Sequence, residues 1–215
     1  MYYLFDLDGT LIDSNSIWLD VDTEFLRRRG LPYTKEYYEG VAHSIFPLAA
    51  KFTKAYCGIA DSEESIMREW LELAGDRYSR WVKLKPHVGE FLSASQASGI
   101  PMALVTACVP QHGRAVLEKY ALTPYFEHII FAQELGVEKA NPNFYPEVAR
   151  ICGVKLNNFT LFDDSVYSCK TAAALGIHTV GVYDPFFAED ESAMRDCCER
   201  YITDFSELLP SPTCT

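Results

Sequence analysis

From Pro101 onward, short apolar runs alternate with amphipathic stretches, and this alternation restricts the possible folds more than any other feature of the chain. Residues 101–106 (PMALVT), 128–131 (HIIF), 159–163 (FTLFD) and 178–182 (HTVGV) read as strands, and residues 111–120, 143–152 and 166–175 between them read as helices. A helix between two strands carries the chain back to its starting edge, so the strands run parallel. Positions 104–105, 129–131, 161–162 and 179–182 are apolar without alternation, as expected of strands covered by helices on both faces. The predicted fold class is α/β, a three-layer core around a parallel sheet.

The first fourteen residues, MYYLFDLDGTLIDS, add chemistry to this frame. Tyr2 to Phe5 reads as a further buried strand, and Asp6 and Asp8 follow at its end. Residues two apart on an extended backbone share a face, so the two carboxylates aim at one spot. Gly9 then allows a sharp turn out of the sheet. Two acids held together repel each other, and a bound cation relieves that repulsion. In parallel sheets, sites form beyond the carboxyl ends of the strands. Thr106 and the Asp163-Asp164 pair also fall at predicted strand ends.

These segments resemble the motifs of the haloacid dehalogenase (HAD) superfamily. Asp6-Leu7-Asp8-Gly9-Thr10-Leu11 resembles its first motif, and Thr106 in Leu104-Val105-Thr106-Ala107 resembles the serine or threonine of its second. A threonine after a strand also serves as a turn or cap residue; the position between the other motifs favours the second motif. Lys139, followed by Pro142 and Tyr145, resembles the third motif, although Ala140 replaces the proline that commonly follows the lysine. Asp163-Asp164-Ser165 resembles the fourth, and Lys170 to Ile177 resembles the small-residue helix beneath it.

The resemblance implies a Rossmann-like core, residues 1–14 and 85–209, with an inserted helical cap. It implies an Mg²⁺-dependent phosphatase acting on a small phosphorylated metabolite through an aspartyl-phosphate. Asp6 would be the nucleophile and Asp8 the general acid and base. Thr106, Ala107 and Lys139 would bind the phosphoryl group. Asp6, Asp164 and the backbone carbonyl of Asp8 would hold the metal, with Asp163 acting through a water. Mg²⁺ suits such a set, because it takes oxygen ligands and often binds through one or two carboxylates plus phosphate.

Asp8 separates this chain from the dehalogenase branch, which lacks a second acid. The branch typified by β-phosphoglucomutase, a phosphomutase, carries a histidine where this chain has Trp18. It also carries an arginine in a Gly-Val-Ser-Arg-like segment, where this chain has Gly40-Val41-Ala42-His43. Both departures weigh against a mutase. A non-catalytic binding protein of this family is a further alternative, opposed by the presence of every motif residue.

Residues 15–84 lack such strand-like runs. Ile17, Val21, Phe25 and Leu26 recur at helical spacing, as do Ile66, Trp70 and Leu73, with Trp81 extending the apolar content. This is the predicted cap. Within it Trp18 and His43 are the candidate substrate contacts, and Tyr37, Tyr38 and Phe46 either line the entrance or fill the cap's own core. Arg27-Arg28-Arg29 reads as the solvated end of the first cap helix, where cations complement the dipole. Cys108 either lies near the site or is a small buried side chain. Residues 210–215 (PSPTCT) read as a disordered tail.

Composition narrows the setting. Of the 215 residues 48% are hydrophobic, enough for a real core, and no stretch approaches the roughly 18 apolar residues of a membrane span. The net charge of −11 argues against nucleic acid or an anionic membrane as partner. It also means that local positive charge must attract a phosphorylated substrate. Seven cysteines at irregular spacing, with no paired motif, read as free thiols of a reducing cytosol. With a strand beginning at the first residues, no signal peptide is expected. The expected state is a cytoplasmic monomer or weak homodimer.

Overall fold

The computed structural model describes residues 1–42 and 44–209. His43 and the tail 210–215, both singled out above, lie outside the described residues. The chain opens with β1 (Tyr2–Phe5) and the two-residue β2 (Ile12–Asp13). Four helices follow, α1 (Asn15–Arg28), α2 (Lys35–Val41), α3 (Phe46–Cys57) and α4 (Glu63–Trp81), and then β3 (Lys83–Leu84). Next come α5 (Val88–Ala97), β4 (Met102–Thr106), α6 (Pro110–Lys119), β5 (His128–Phe131) and the short α7 (Ala132–Leu135). The chain continues through α8 (Phe144–Cys152), β6 (Phe159–Asp163), α9 (Val166–Ala174), β7 (His178–Val182), α10 (Glu191–Cys197) and β8 (Arg200–Ile202).

The main sheet has the order β5-β4-β1-β6-β7-β8, and all its pairs are parallel. From β1 the chain builds one side with β4 and β5, then crosses to build the other with β6, β7 and β8. The loops after β1, β4 and β6 therefore meet at this reversal, the usual ligand position in an open parallel sheet. Successive residues of β1 point to opposite faces. Leu4 packs among Val105, Leu161, Phe144 and Val148 on one face. Phe5 joins Leu104, Phe91 and Phe162 on the other, its ring stacked on Phe162 at 4.6 Å. Both faces are covered, which gives the three layers.

The helices between β2 and β3 pack on one another, α1 and α3 against α4 and α2 against α3. Ile17, Val21, Phe25 and Leu26 are the buried face of α1, at the spacing read from the sequence. Thr34 and Ser62 cap α2 and α4 through their hydroxyls, which accept from Tyr37 N and Ser65 N. The arginine run ends α1 as expected. Arg27 and Arg28 pair with Glu24, while Arg29 bonds Glu69 at 2.7 Å and lies over the Phe25 ring, tying α1 to α4.

Three readings need correction. Lys83 and Leu84, inside the segment read as helical, pair antiparallel with Asp13 and Ile12. A two-residue ladder is too short to leave a periodic signal. Trp81 does not extend the apolar core: it is 74% exposed at the end of α4. The adjacent pair Cys197-Cys198 reads from the sequence as lying within one helix, but Cys197 closes α10 and Cys198 already lies past it in extended conformation. The described cysteines are all free thiols. No helix among the described residues is long and apolar enough to cross a membrane.

Candidate active site

The strand ends bring the motif residues together. Lys139, on the loop between α7 and α8, extends its ammonium between two carboxylates, 2.6 Å from Asp6 Oδ1 and 2.6 Å from Asp163 Oδ2. Asp163 Oδ1 accepts from Ser165 N at 2.9 Å, so both its oxygens are engaged. Asp164 is held from the other side: Asn15 Nδ2 donates to Oδ2 at 3.0 Å and Thr10 Oγ1 to Oδ1 at 3.4 Å. Gly9 makes this approach possible. It sits at φ +75°, and a Cβ there would lie 1.9 Å from Asp164 Oδ2. Only glycine combines that dihedral with so close a neighbour.

Asp6, Lys139, Asp163 and Asp164 are all buried. Burial pushes the Asp6 carboxyl above its ordinary range, Lys139 pulls it down, and Asp163 pushes it up again. Burial, then Asp6 and Asp163, hold Asp164 well above the usual carboxylate range. For Lys139 burial works against the charge, but Asp163 and Asp6 overcome it and keep the ammonium protonated. Two carboxylates, Asp6 and Asp163, thus share the Lys139 ammonium, and Asp164 stands beside them without a bond to it. One carboxylate oxygen from each of Asp6, Asp163 and Asp164 lies within 4.8 Å of the others. An all-oxygen, net-negative cluster of this kind matches the donors that a hard divalent cation takes.

Asp8 is turned away from that cluster. Its Oδ1 accepts from Ser14 Oγ at 2.5 Å and also from the Tyr78 hydroxyl. Tyr78, on α4, is fully buried, contacts Cys108 Sγ at 3.1 Å and stacks on His112 at 5.0 Å. Cys108 is therefore both buried and beside the site. Thr106 Oγ1 accepts from Cys108 N at 3.0 Å, so the threonine caps its own turn as well as facing the site. A second tie joins the helices to the sheet: Ile45 N donates to Glu138 Oε1, next to Lys139.

Above the carboxylates opens a cavity of about 200 Å³, small against the roughly 300–1,000 Å³ of many ligand pockets. Asp6, Asp8, Thr106, Ala107, Lys139, Asp163 and Asp164 line its floor. Its wall comes largely from α1 to α4. Trp18, Tyr38 and Phe46 line it, whereas Tyr37 is buried in the helical layer with its hydroxyl on Thr53. Sequence reasoning missed Ser14, Asn15, Asp22 and Tyr78. The Asn15-Trp18-Leu19-Asp22 spacing, one helical face pointing away from the buried stripe of α1, was the available signal for two of them.

Comparison with known proteins agrees with this geometry. The haloacid dehalogenase-like hydrolase pattern matches residues 3–182. A phosphorylated carbohydrates phosphatase of Thermotoga maritima is 23% identical over 177 residues, 82% of each chain. A phosphoglycolate phosphatase of Pseudomonas putida is 28% identical over 220 residues, covering 96% of this chain and 78% of its own. Among solved structures, a mutant CbbY of Rhodobacter sphaeroides in complex with xylulose-1,5-bisphosphate superposes with a TM-score of 0.82 over 96% of this chain and 95% of that one. At 18% identity it speaks to the fold alone. With the motif residues gathered at the ends of β1, β4 and β6 and the family pattern spanning most of its length, the chain belongs to the haloacid dehalogenase-like hydrolases.

Proposed function

We propose that this enzyme is an Mg²⁺-dependent phosphatase that hydrolyses small phosphomonoesters through Asp6. The observation that carries the reading is the cluster of Asp6, Asp163 and Asp164 on the floor of a cavity, with the buried Lys139 ammonium bridging Asp6 and Asp163. The phosphatase names of the relatives support it.

The carboxylates of Asp6 and Asp164 and the backbone carbonyl of Asp8 would hold the ion, with Asp163 contributing through a water. When bound, Mg²⁺ offsets the negative charge of the phosphoryl group and lets an anionic carboxylate approach it.

A carboxylate oxygen of Asp6 attacks phosphorus. The ester P–O bond breaks, leaving an aspartyl-phosphate, so one difficult displacement becomes two easier ones. Asp8 gives its proton to the leaving oxygen. It then takes one from the water that attacks phosphorus, which frees phosphate and restores Asp6. The Lys139 ammonium, the Thr106 hydroxyl and the Ala107 N–H stabilise charge on the phosphoryl oxygens. The helices of residues 15–84 act as a cap over the core formed by 1–14 and 85–209. Tyr78 and Asn15 link them to Asp8 and Asp164.

A mutase would need a second cation to hold its substrate's far phosphate. Among the described residues that line the cavity, Lys139 is the only lysine, arginine or histidine. Phosphate release from a panel of small phosphomonoesters, with Mg²⁺ and with excess chelator, tests the proposal. Release that needs the metal and is lost in Asp6→Asn is the expected result. No release from any ester, or full activity in chelator, contradicts it.

A further inference from the structure

The cavity wall carries an acid that the chemistry above does not use. Asp22 lies on the same face of α1 as Asn15 and Trp18 and lines the cavity with them. From the described residues it accepts one long hydrogen bond, from the Tyr37 hydroxyl at 3.4 Å. Among the described residues no lysine, arginine or histidine contributes to its charge balance. Burial pushes its carboxyl up to about 7. An acid taken out of water without a cationic partner is unfavourable, so such a group is retained where something outside the fold completes it.

Aromatic residues share this cavity wall. Trp18 stands one turn before Asp22 on α1, and Tyr33, Tyr38, Phe46 and Trp70 line the same cavity. Phe46 bridges the two indoles, 5.9 Å from Trp18 and 5.3 Å from Trp70. Ring faces attract cations, and several rings around one acid form a site suited to an alkylammonium. The only cation on the described lining, Lys139, is already shared by Asp6 and Asp163. A leaving group with a carboxylate or second phosphate would therefore meet Asp22 and aromatic side chains, with no further cation among the described lining residues to neutralise it.

The spacing fits as well. Asn15, which bonds Asp164, and Asp22 are seven residues apart on one helix, a rise of about 10 Å. That span holds a phosphoryl group, a short carbon spacer and an ammonium in contact with a carboxylate.

We propose that the substrate is the phosphate ester of a short amino alcohol, its ammonium held by Asp22 within the Trp18, Tyr33, Tyr38 and Trp70 rings. This inference rests on the phosphatase reading and specifies its leaving group; release of phosphate leaves the amino alcohol, with water supplying the hydroxyl proton and one phosphate oxygen.

The test uses the full chain with Mg²⁺ and four probes. These are O-phosphocholine, O-phosphoethanolamine, phosphoglycolate and 3,3-dimethylbutyl phosphate, the neutral carbon isostere of phosphocholine. The expected result is a kcat/KM for one or both ammonium esters at least about tenfold above the neutral isostere, expressed mainly in KM. Phosphocholine leading would identify a quaternary centre, and phosphoethanolamine a primary one. In Asp22→Asn the ratio of ammonium ester to isostere falls toward one. The wild-type ratio stands by itself if that variant fails to fold. A wild type that prefers the isostere or phosphoglycolate overturns the inference while leaving the phosphatase reading intact, as does an Asp22→Asn variant that lowers both esters equally. If none of the four esters, nor p-nitrophenyl phosphate, is hydrolysed, the phosphatase reading falls and this inference with it.

Discussion

Replacing Gly9 by alanine tests the geometry of the site through a residue that takes no part in the chemistry. Two effects add. The backbone there lies at φ +75°, a region that disfavours a Cβ by roughly 1–2 kcal/mol. The added Cβ would also stand 1.9 Å from Asp164 Oδ2 and 2.4 Å from Asn15 Nδ2. Ordinary contact begins near 3.4 Å, so the Asp164 carboxylate must retreat by about 1.5 Å. Its hydrogen bonds from Asn15 and Thr10, each worth about 1 kcal/mol, are then lost or stretched. The sum is about 3 kcal/mol, or about 6–12 °C in Tm for a chain of this size. Metal ligation tolerates displacements of only about 0.2 Å, so the stabilisation expected from Mg²⁺ disappears too. Gly136→Ala is the control. Gly136 has φ +67° but nothing within 4 Å of its would-be Cβ, so it isolates the backbone effect. Thermal melts of wild type and both variants, with and without Mg²⁺, give the answer. If Gly9→Ala melts no lower than Gly136→Ala and keeps its metal response, the close approach of Gly9 to Asp164 is wrong.

Three further outcomes are expected. Mg²⁺ at about a hundred times its dissociation constant raises stability by about 2.7 kcal/mol, seen as a Tm increase that Asp164→Asn abolishes; an unchanged Tm in the wild type contradicts the metal site. Tyr78→Phe removes a hydrogen bond to Asp8, so kcat falls about tenfold with KM little changed, and steady-state kinetics showing a raised KM with kcat unchanged would instead indicate a substrate contact. Asp22 has its carboxyl raised from 3.8 to about 7, so the folded state binds a proton more readily than the unfolded. The contribution to stability is present at low pH and is lost as pH rises from about 4 through about 7. Asp22→Asn therefore stabilises by about 1–2 kcal/mol at pH 8, after discounting for partial exposure, and by less at pH 5; equal effects in melts at the two pH values would refute the shift.

The legible parts of this molecule were those where one residue type has few alternatives. Unbroken apolar runs between amphipathic segments read directly as β4 to β7, because strands covered on both faces need no alternation. Asp6, Asp8, Asp163 and Asp164 were visible because acids at the ends of such runs have little structural reason to be there, and Thr106, which also caps its own turn, was visible only by its position between them. Lys139 was found by motif despite Ala140, and its ammonium still reaches both carboxylates. What stayed hidden depended on contacts between distant segments. Tyr78 meets Asp8 from the part of α4 beyond Gly75, where the backbone leaves helical values, a break that periodicity does not reveal. The β2–β3 ribbon joins residues seventy apart through two residues each, too few for periodicity. Trp81 illustrates the reverse error: a large apolar residue at helical spacing promises burial, but at the last position of a helix it ends in solvent.

The central claim is that Asp6 is the group phosphorylated in turnover. Quenching the enzyme with borohydride during hydrolysis of an active phosphomonoester reduces an acyl phosphate to an alcohol, and peptide mass spectrometry locates it. The account predicts homoserine in place of Asp6, dependent on substrate and Mg²⁺ and absent when the enzyme is quenched without ester. Rapid turnover with Asp6 unmodified at every quench time, or reduction at another carboxylate, would contradict it.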